Sequence, residues 1–581
     1  MRWAGQFREW LEETHSTGFE LRRHFFRRFF DSEMVLTAGQ WQTVAIGALA
    51  IVASLSIIMT QAYFGKYRRL LELDSSQPYE LAALADHLLF ITVSMTLTGL
   101  LTVLQWPSLF PGLRDYLALA GLPIRTQDIF VAKFSALLIF AAIFIVGMNL
   151  FPSFMLPAVM AGRHLTGGFS NVIGLLLSTI LSGFFIFFVL VALQGVLLNI
   201  VPATVFPRVS LFVQGLLLIA LVCALPFVFS IANLYPYMNQ RPEEALWTPP
   251  VWFLGLDQAV RGNREGYVLQ LCARSLLALA AAAVAAVGMY LWSYRRHRVR
   301  VLEAPVEAGH HTGVPARLRS RIADWIIPDA RERAVFAFVA ATLSRSRQHR
   351  MVLTAFVALA VALIFESFVS IVTGRGFRGF AVQTFALRQA GVSAVLALSL
   401  FVLAGFRYLF RLPVELRANW VFQLNEAGNR EIFLGAVQRF VFWFGVIPVS
   451  LLTLPLEVRI FGPWAGVGAS LLALLPSLIL MEVLLYQFQR IPFTSSYLPG
   501  KRPLIETVVL YGAAVGAYVT VLSGVIVLCL EELSYSLTGF GALLAVWARV
   551  RKGRLEEWEF GKLEFEELPE PAVHTLGIGR D

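Results

Sequence analysis

The chain has 581 residues, of which 57% are hydrophobic and only 15% charged. Soluble domains carry roughly 25% charged residues, so this composition excludes a string of water-soluble domains and indicates a polytopic membrane protein. The net charge of +10 resides largely in arginine clusters beside apolar runs, which read as orientation signals and anionic-lipid contacts rather than a nucleic-acid surface.

In chain order, the first predicted element is an interfacial helix at Phe19 to Phe30, FELRRHFFRRFF, with rings for the headgroup region and guanidiniums for the phosphates. The chain opens on charged, aromatic sequence and its first long apolar run starts only near Gln42, which does not fit a cleavable signal peptide. Six apolar runs of about spanning length follow, near 42–64, 86–106, 130–151, 171–193, 209–233 and 269–293. Between the fifth and sixth, the segment 234–268 contains Trp247, Trp252 and Phe253, and reads as an interfacial element on the outer leaflet or a plain aromatic belt. A basic linker follows; residues 294–350 hold twelve arginines against five acidic residues. A second interfacial helix is predicted within Glu332 to Arg350. Six further spans are expected near 351–373, 390–410, 433–455, 464–486, 505–529 and 534–548, and then an acidic and apolar tail.

The expected fold is therefore all-α, with about 12 transmembrane helices in two six-helix halves. The halves occupy 1–293 and 332–549, separated by a linker over 294–331 and followed by a tail over 550–581. The positive-inside rule puts the linker in the cytoplasm, and alternation places both termini there too. Lys66, Arg68 and Arg69 conflict with that topology, because they would lie outside.

The connector between the second and third spans occurs twice. Leu109 to Phe134 reads LFPGLRDYLALAGLPIRTQDIFVAKF, and Leu412 to Phe440 reads LPVELRANWVFQLNEAGNREIFLGAVQRF. Aligned without gaps, Leu113-Arg114 falls on Leu416-Arg417, and Asp128-Ile129-Phe130 on Glu431-Ile432-Phe433. Such a repeat points to a duplicated half-molecule. In the first copy Pro111 and Pro123 bracket a short helix whose apolar face is Leu113, Leu117, Ala120 and Leu122.

Catalytic signatures are missing from the sequence: no phosphate loop, no HExxH, no GxSxG and no paired Cys/His metal spacing. Cys223, Cys272 and Cys529 all lie in expected spans and read as packing residues. No catalytic residue, metal ligand or bound cofactor is expected. Glu366 and Glu482 are carboxylates set inside expected spans, and hence candidates for a translocation path. Gly512 and Gly516 form a GxxxG step suited to close helix approach.

The short helix, then Leu122-Pro123-Ile124-Arg125, then a span containing Ala132-Lys133, resembles the coupling-helix region of type-2 ABC exporter permeases. The preceding amphipathic segment is similar to that family's elbow helix, and six spans per half match its unit. The resemblance implies a permease subunit of an ATP-driven exporter, located in the inner (cytoplasmic) membrane. ATP and Mg would sit on separate ATP-binding subunits, in two copies. It further implies contact with those subunits through coupling segments near 111–124 and 413–430. The residues concerned are Arg114, Asp115, Tyr116, Leu122, Pro123 and Arg125 in the first copy, and Arg417, Asn419, Trp420, Glu426 and Arg430 in the second. The second copy departs from the pattern, with Asn425-Glu426 in place of Leu122-Pro123. A secondary, ion-coupled transporter is the alternative reading, and a membrane enzyme for lipid-linked substrates the third. The substrate itself is not specified by the sequence.

Overall fold

A computed structural model describes residues 16–28, 63–72, 77–111, 115, 119, 125–160, 168–202, 204–240, 243, 246–303, 327, 329–372, 380–412, 414, 418–424, 430–486, 488–494, 512–513 and 515–560. Among these residues helix is the only regular secondary structure, and ten helices are long and apolar enough to cross a membrane. The fold is an all-α, multi-pass membrane architecture. It divides into two compact units, Met1–Ala308 and Gly309–Asp581.

In the first unit, α1 (Ser16–Arg28) precedes α2 (Gln77–Leu104), α3 (Thr126–Met160), α4 (Gly168–Ile200), α5 (Phe206–Gln240), α6 (Pro249–Val260) and α7 (Gly266–Glu303). The second unit contains α8 (Ala330–Arg345), α9 (Arg347–Val372), α10 (Phe380–Leu409), α11 (Asn419–Leu424), α12 (Arg430–Val441), α13 (Ile447–Phe461), α14 (Pro463–Leu485), α15 (Leu522–Cys529) and α16 (Leu533–Phe560). A π-helical turn, Phe442–Val446, joins α12 to α13 into one membrane-length helix. The expected span at 42–64 lies almost wholly outside the described residues. That at 505–529 is described only in its second part, where Gly516–Cys529 is a shorter apolar helix.

The same helix pairings recur in both units. In the first, α1 packs on α3, α3 on α4, α2 on both α4 and α5, and α7 on α4. In the second, α8 packs on α12, α13 on α14, α10 on both α14 and α15, and α16 on α14. The fourth span of each half is thus its central post, and composition explains why. In α4 the residues Gly174, Ser178, Ser182, Gly183, Gly195 and Asn199 are all buried, and in α14 so are Gly466, Ala469, Ala473 and Ser477. Small residues in stripes let backbones approach closely, which is what drives helix association in lipid, where burial of apolar surface gives no advantage. A Cβ on Gly183 would sit 2.9 Å from Ile145 of α3, and one on Gly195 2.7 Å from Met289 of α7. By contrast, nothing lies within 4 Å of where a Cβ would stand on Gly512 or Gly516. Among the described residues that GxxxG step makes no close approach, and the expectation is corrected: close small-residue contacts fall elsewhere, in α4 and α14 and also at Gly255 of α6 and Gly391 of α10.

The α13–α14 hairpin turns through Gly462 at φ +89°, a conformation costly for any residue with a Cβ. One turn later, a Cβ on Gly466 would meet the Val458 Cα at 2.6 Å and its backbone nitrogen at 2.7 Å. Backbone cannot swing aside, so Gly466→Ala is expected to cost about 1–3 kcal/mol. Gly468→Ala, with open space at its Cβ, is expected to be neutral or slightly stabilising through helix propensity. Melting the purified variants in detergent checks both.

The segment expected at the outer leaflet behaves otherwise. Its helix α6 is inserted among α2, α4 and α7, with Val251, Phe253, Leu254 and Leu256 buried against Ala85, Leu88, Ile91 and Leu271. Of Trp247, Trp252 and Phe253, Trp247 alone stands outside the helix and exposed. The Pro249-Pro250 pair starts this helix, where proline's missing N–H is harmless.

Candidate functional site

The connectors were the predicted site, and the first is held by four helices. As the chain leaves α2, Trp106 begins a 3-10 turn and is fully buried. Its indole Nε1 donates to Ser210 Oγ of α5 at 2.9 Å, while Gln194 Nε2 of α4 donates to its carbonyl at 2.8 Å. Tyr290 of α7 donates from its hydroxyl to the Leu109 carbonyl at 3.2 Å and stacks on Phe110 with ring centres 4.6 Å apart. Gln214 Nε2 of α5 donates to the Val103 carbonyl at 2.8 Å. Carbonyls freed at a helix end must find donors when buried, and here side chains of three other helices provide them.

Between Pro111 and Arg125 the described residues are Asp115 and Leu119, and both turn inward. Asp115 is 4% exposed and its Oδ2 lies 3.3 Å from Lys133 Nζ of α3, itself 4% exposed. The ammonium also sits 4.8 Å from the centre of the Phe25 ring of α1. Leu119 packs with Phe26, Phe130 and Trp106 in the same core. Asp115, expected at the partner surface, therefore acts in this chain as a tether between connector, third span and elbow-like helix. Arg125 is exposed at the start of α3. Arg114, Tyr116, Leu122 and Pro123 lie outside the described residues.

The second connector is anchored differently. In the gapless alignment Ala418 and Ala436 replace Asp115 and Lys133, so this ion pair has no counterpart. Backbone bonds hold it instead: Val414 N–H donates to the Phe493 carbonyl at 3.0 Å and Phe493 N–H to the Phe410 carbonyl at 3.2 Å. Phe493 takes φ 68° to do so, and His349 abuts its ring edge-on at 5.0 Å. An ion pair between Arg439 of α12 and Glu332 of α8, at 2.8 Å, fastens the second elbow-like helix. Burial raises the Glu332 carboxyl above its ordinary range, and the Arg439 guanidinium only partly offsets that.

Helix α11 is two-faced. Phe422 turns inward onto Phe338 of α8 and Phe433 of α12, with ring centres at 5.3 and 6.2 Å. Trp420, Val421 and Leu424 point out, exposed by 60%, 42% and 74%. Arg417 and Glu426 lie outside the described residues, as do the side chains of Asn419 and Arg430.

The two carboxylates named for a path have different fates. Glu366 of α9 is half-buried, and its Oε2 has no hydrogen-bond partner among the described residues. Glu482 of α14 is fully buried and ion-paired with Arg554 of α16, which is equally buried. Gln438 of α12 closes the triangle: its Nε2 donates to Glu482 Oε1 and its Oε1 accepts from Arg554 Nη2, each at 3.0 Å. The Arg554 guanidinium also lies 3.8 Å from the centre of the Trp558 ring. The tail expected from residue 550 begins inside a helix: α16 continues to Phe560, and Arg554, in a basic run past the last expected span, points into the protein.

A further network, missed in the sequence, lies at the end of the first unit remote from the connector. Lys66 Nζ is 2.7 Å from both carboxylate oxygens of Asp86, and Tyr67 donates to the same group. Burial, with the Asp86 carboxylate beside it, pushes the Tyr67 phenol above its usual range. Adjacent His87 bonds through Nδ1 to Asp257 Oδ2 of α6 at 2.8 Å, and Arg261 approaches that oxygen at 3.4 Å. Lys66, discordant as a topology signal, is thus the counter-ion of Asp86. The clue available in the sequence was a charged Asp86-His87 pair at the lip of a span; α2 starts nine residues earlier than the apolar run and buries both.

No family model, no curated protein and no solved structure matches the chain. Among the described residues no group of three or more His, Cys, Asp or Glu side chains is placed to hold a metal ion.

Proposed function

We propose that the chain is the membrane-spanning permease subunit of an ATP-driven ABC exporter. Two six-span halves would form the path and couple to separate ATP-binding subunits. The observation that carries this reading is the outward face of α11. Three large apolar side chains stand exposed on a connector whose opposite face is locked into the core by Phe422. Exposed apolar clusters with an aromatic anchor mark interaction sites. The first connector supports the reading through its mounting, since a push on it reaches α3, α4, α5 and α7 through short buried contacts. Packed interfaces convert such a push into rigid-body movement of a half. ATP and Mg would reside on the partner, two copies serving the two connectors. The connectors and both termini would lie on the cytoplasmic side of the inner membrane.

The test is purification of the tagged full chain from its native host in mild detergent, with Trp420→Ser/Leu424→Ser alongside. The expected result is a co-purifying protein that has a phosphate loop and hydrolyses ATP, depleted in the double variant. Its absence across several mild detergents contradicts the proposal.

The Lys66–Asp86 and His87–Asp257 pairs favour ion-coupled secondary transport as a second reading, because buried ionisable groups in spans often serve proton or ion relays. Transport driven by an ion gradient without ATP, and abolished by Asp86→Asn, would decide for it.

A further inference from the structure

The second unit contains a cavity of about 1020 Å³ between the ends of α10, α14 and α16. Its wall changes character along α10. Leu400 and Ala404 line one end, Arg407 and Arg411 line the other, and Leu480 and Leu484 of α14 add apolar wall. At 1.5 Å per residue, Leu400 and Arg407 stand about 10 Å apart along the helix, and Arg411 follows just past its end. From α16, Arg549 and Lys552 add two more cations at the basic end. Glu556 is the carboxylate among the lining residues, and it approaches Lys552 at 3.8 Å. Four cations therefore face one carboxylate. No salt bridge holds Arg407, Arg411 or Arg549 among the described residues; Arg407 instead lies 4.8 Å from the centre of the Phe488 ring. Favourable interaction with helix dipoles accounts for cations near C-terminal ends, but not for four of them converging on one hollow with an apolar floor.

We infer that this cavity is a binding site for an anionic phospholipid, with the phosphate at Arg407, Arg411, Arg549 and Lys552 and an acyl chain along Leu400, Ala404 and Leu484. Guanidiniums bind phosphate oxygens in a two-pronged geometry, and basic hollows between spans are suited to acidic headgroups. Free phosphate shares the headgroup chemistry, but only a lipid also uses the apolar end. Beside the wall, Arg554, adjacent to lining residue Gly553, is held by Glu482 and Gln438. The site does not depend on the proposed ATP coupling.

The experiment uses the purified full chain in detergent micelles doped with phosphatidylglycerol or with phosphatidylcholine, or supplied with inorganic phosphate. Lipid retained after gel filtration and the apparent melting temperature are read. Phosphatidylglycerol is expected to be retained and to raise the melting temperature, with phosphatidylcholine and phosphate much weaker. Arg407→Gln/Arg411→Gln should lower retention several-fold. Ala404→Phe, which keeps every charge and fills the apolar end, should do the same and guards against misfolding of the charge variant. Equal retention of the two lipids, equal retention by both variants, or reproduction of the stabilisation by inorganic phosphate would overturn the inference.

Discussion

Arg554→Met is expected to destabilise the second unit by about 3–5 kcal/mol, because it leaves the Glu482 carboxylate buried without its guanidinium. Gln438 supplies one amide donor to that carboxylate, which does not replace a full charge. Removing both charges is a different matter. In Arg554→Met/Glu482→Leu the buried ions disappear together, and apolar groups of similar volume commonly make such a swap neutral or stabilising. The double variant should therefore recover most of the loss. Loss of apparent melting temperature in the single variant, with recovery in the double, is the expected pattern in detergent. An unchanged single variant would mean that the α12–α14–α16 triangle does not form.

The second large effect is expected at Lys133. Changing it to Met leaves Asp115, 4% exposed, without the ammonium 3.3 Å away, at a cost on the order of 3 kcal/mol. Part of that cost can be relieved by releasing the connector from α3, where Asp115 regains water. Limited proteolysis should then cut between Pro111 and Arg125 faster in the variant than in the native chain. Asp115→Asn/Lys133→Met, with no bare carboxylate to rehydrate, should be cut less. Under the proposed function the Lys133→Met chain keeps its ATP-binding partner and its ATP hydrolysis but loses transport. An unaltered cleavage rate would argue against the tether.

Much of the fold was legible because a bilayer makes sequence simple. Ten of the twelve expected spans coincide with helices of membrane length, since each must satisfy its own backbone in lipid. The aligned connectors also agree in burial: Asp128 and Glu431 are both exposed, and Phe130 and Phe433 both buried. What sequence did not reveal are pairings over long separations. Asp115 read as a surface charge because its partner lies 18 residues on, and Glu482 read as solitary because Arg554 is 72 residues away in a run resembling a topology signal. Burial of α6 was hidden for a related reason: twelve residues rich in aromatics fit an interfacial belt as well as an inserted helix, and only the neighbours decide.

The most direct test of the central claim places a cysteine-reactive photocrosslinker at Trp420→Cys, which stands exposed while the native Cys223, Cys272 and Cys529 are half-buried. Irradiation of membranes from the native host, followed by mass spectrometry of the crosslinked peptides, identifies what touches α11. The expected product is a peptide from an ATP-binding protein carrying a phosphate loop, with a yield that changes when ATP is added. Crosslinks to lipid alone, with no such protein under either condition, would contradict it.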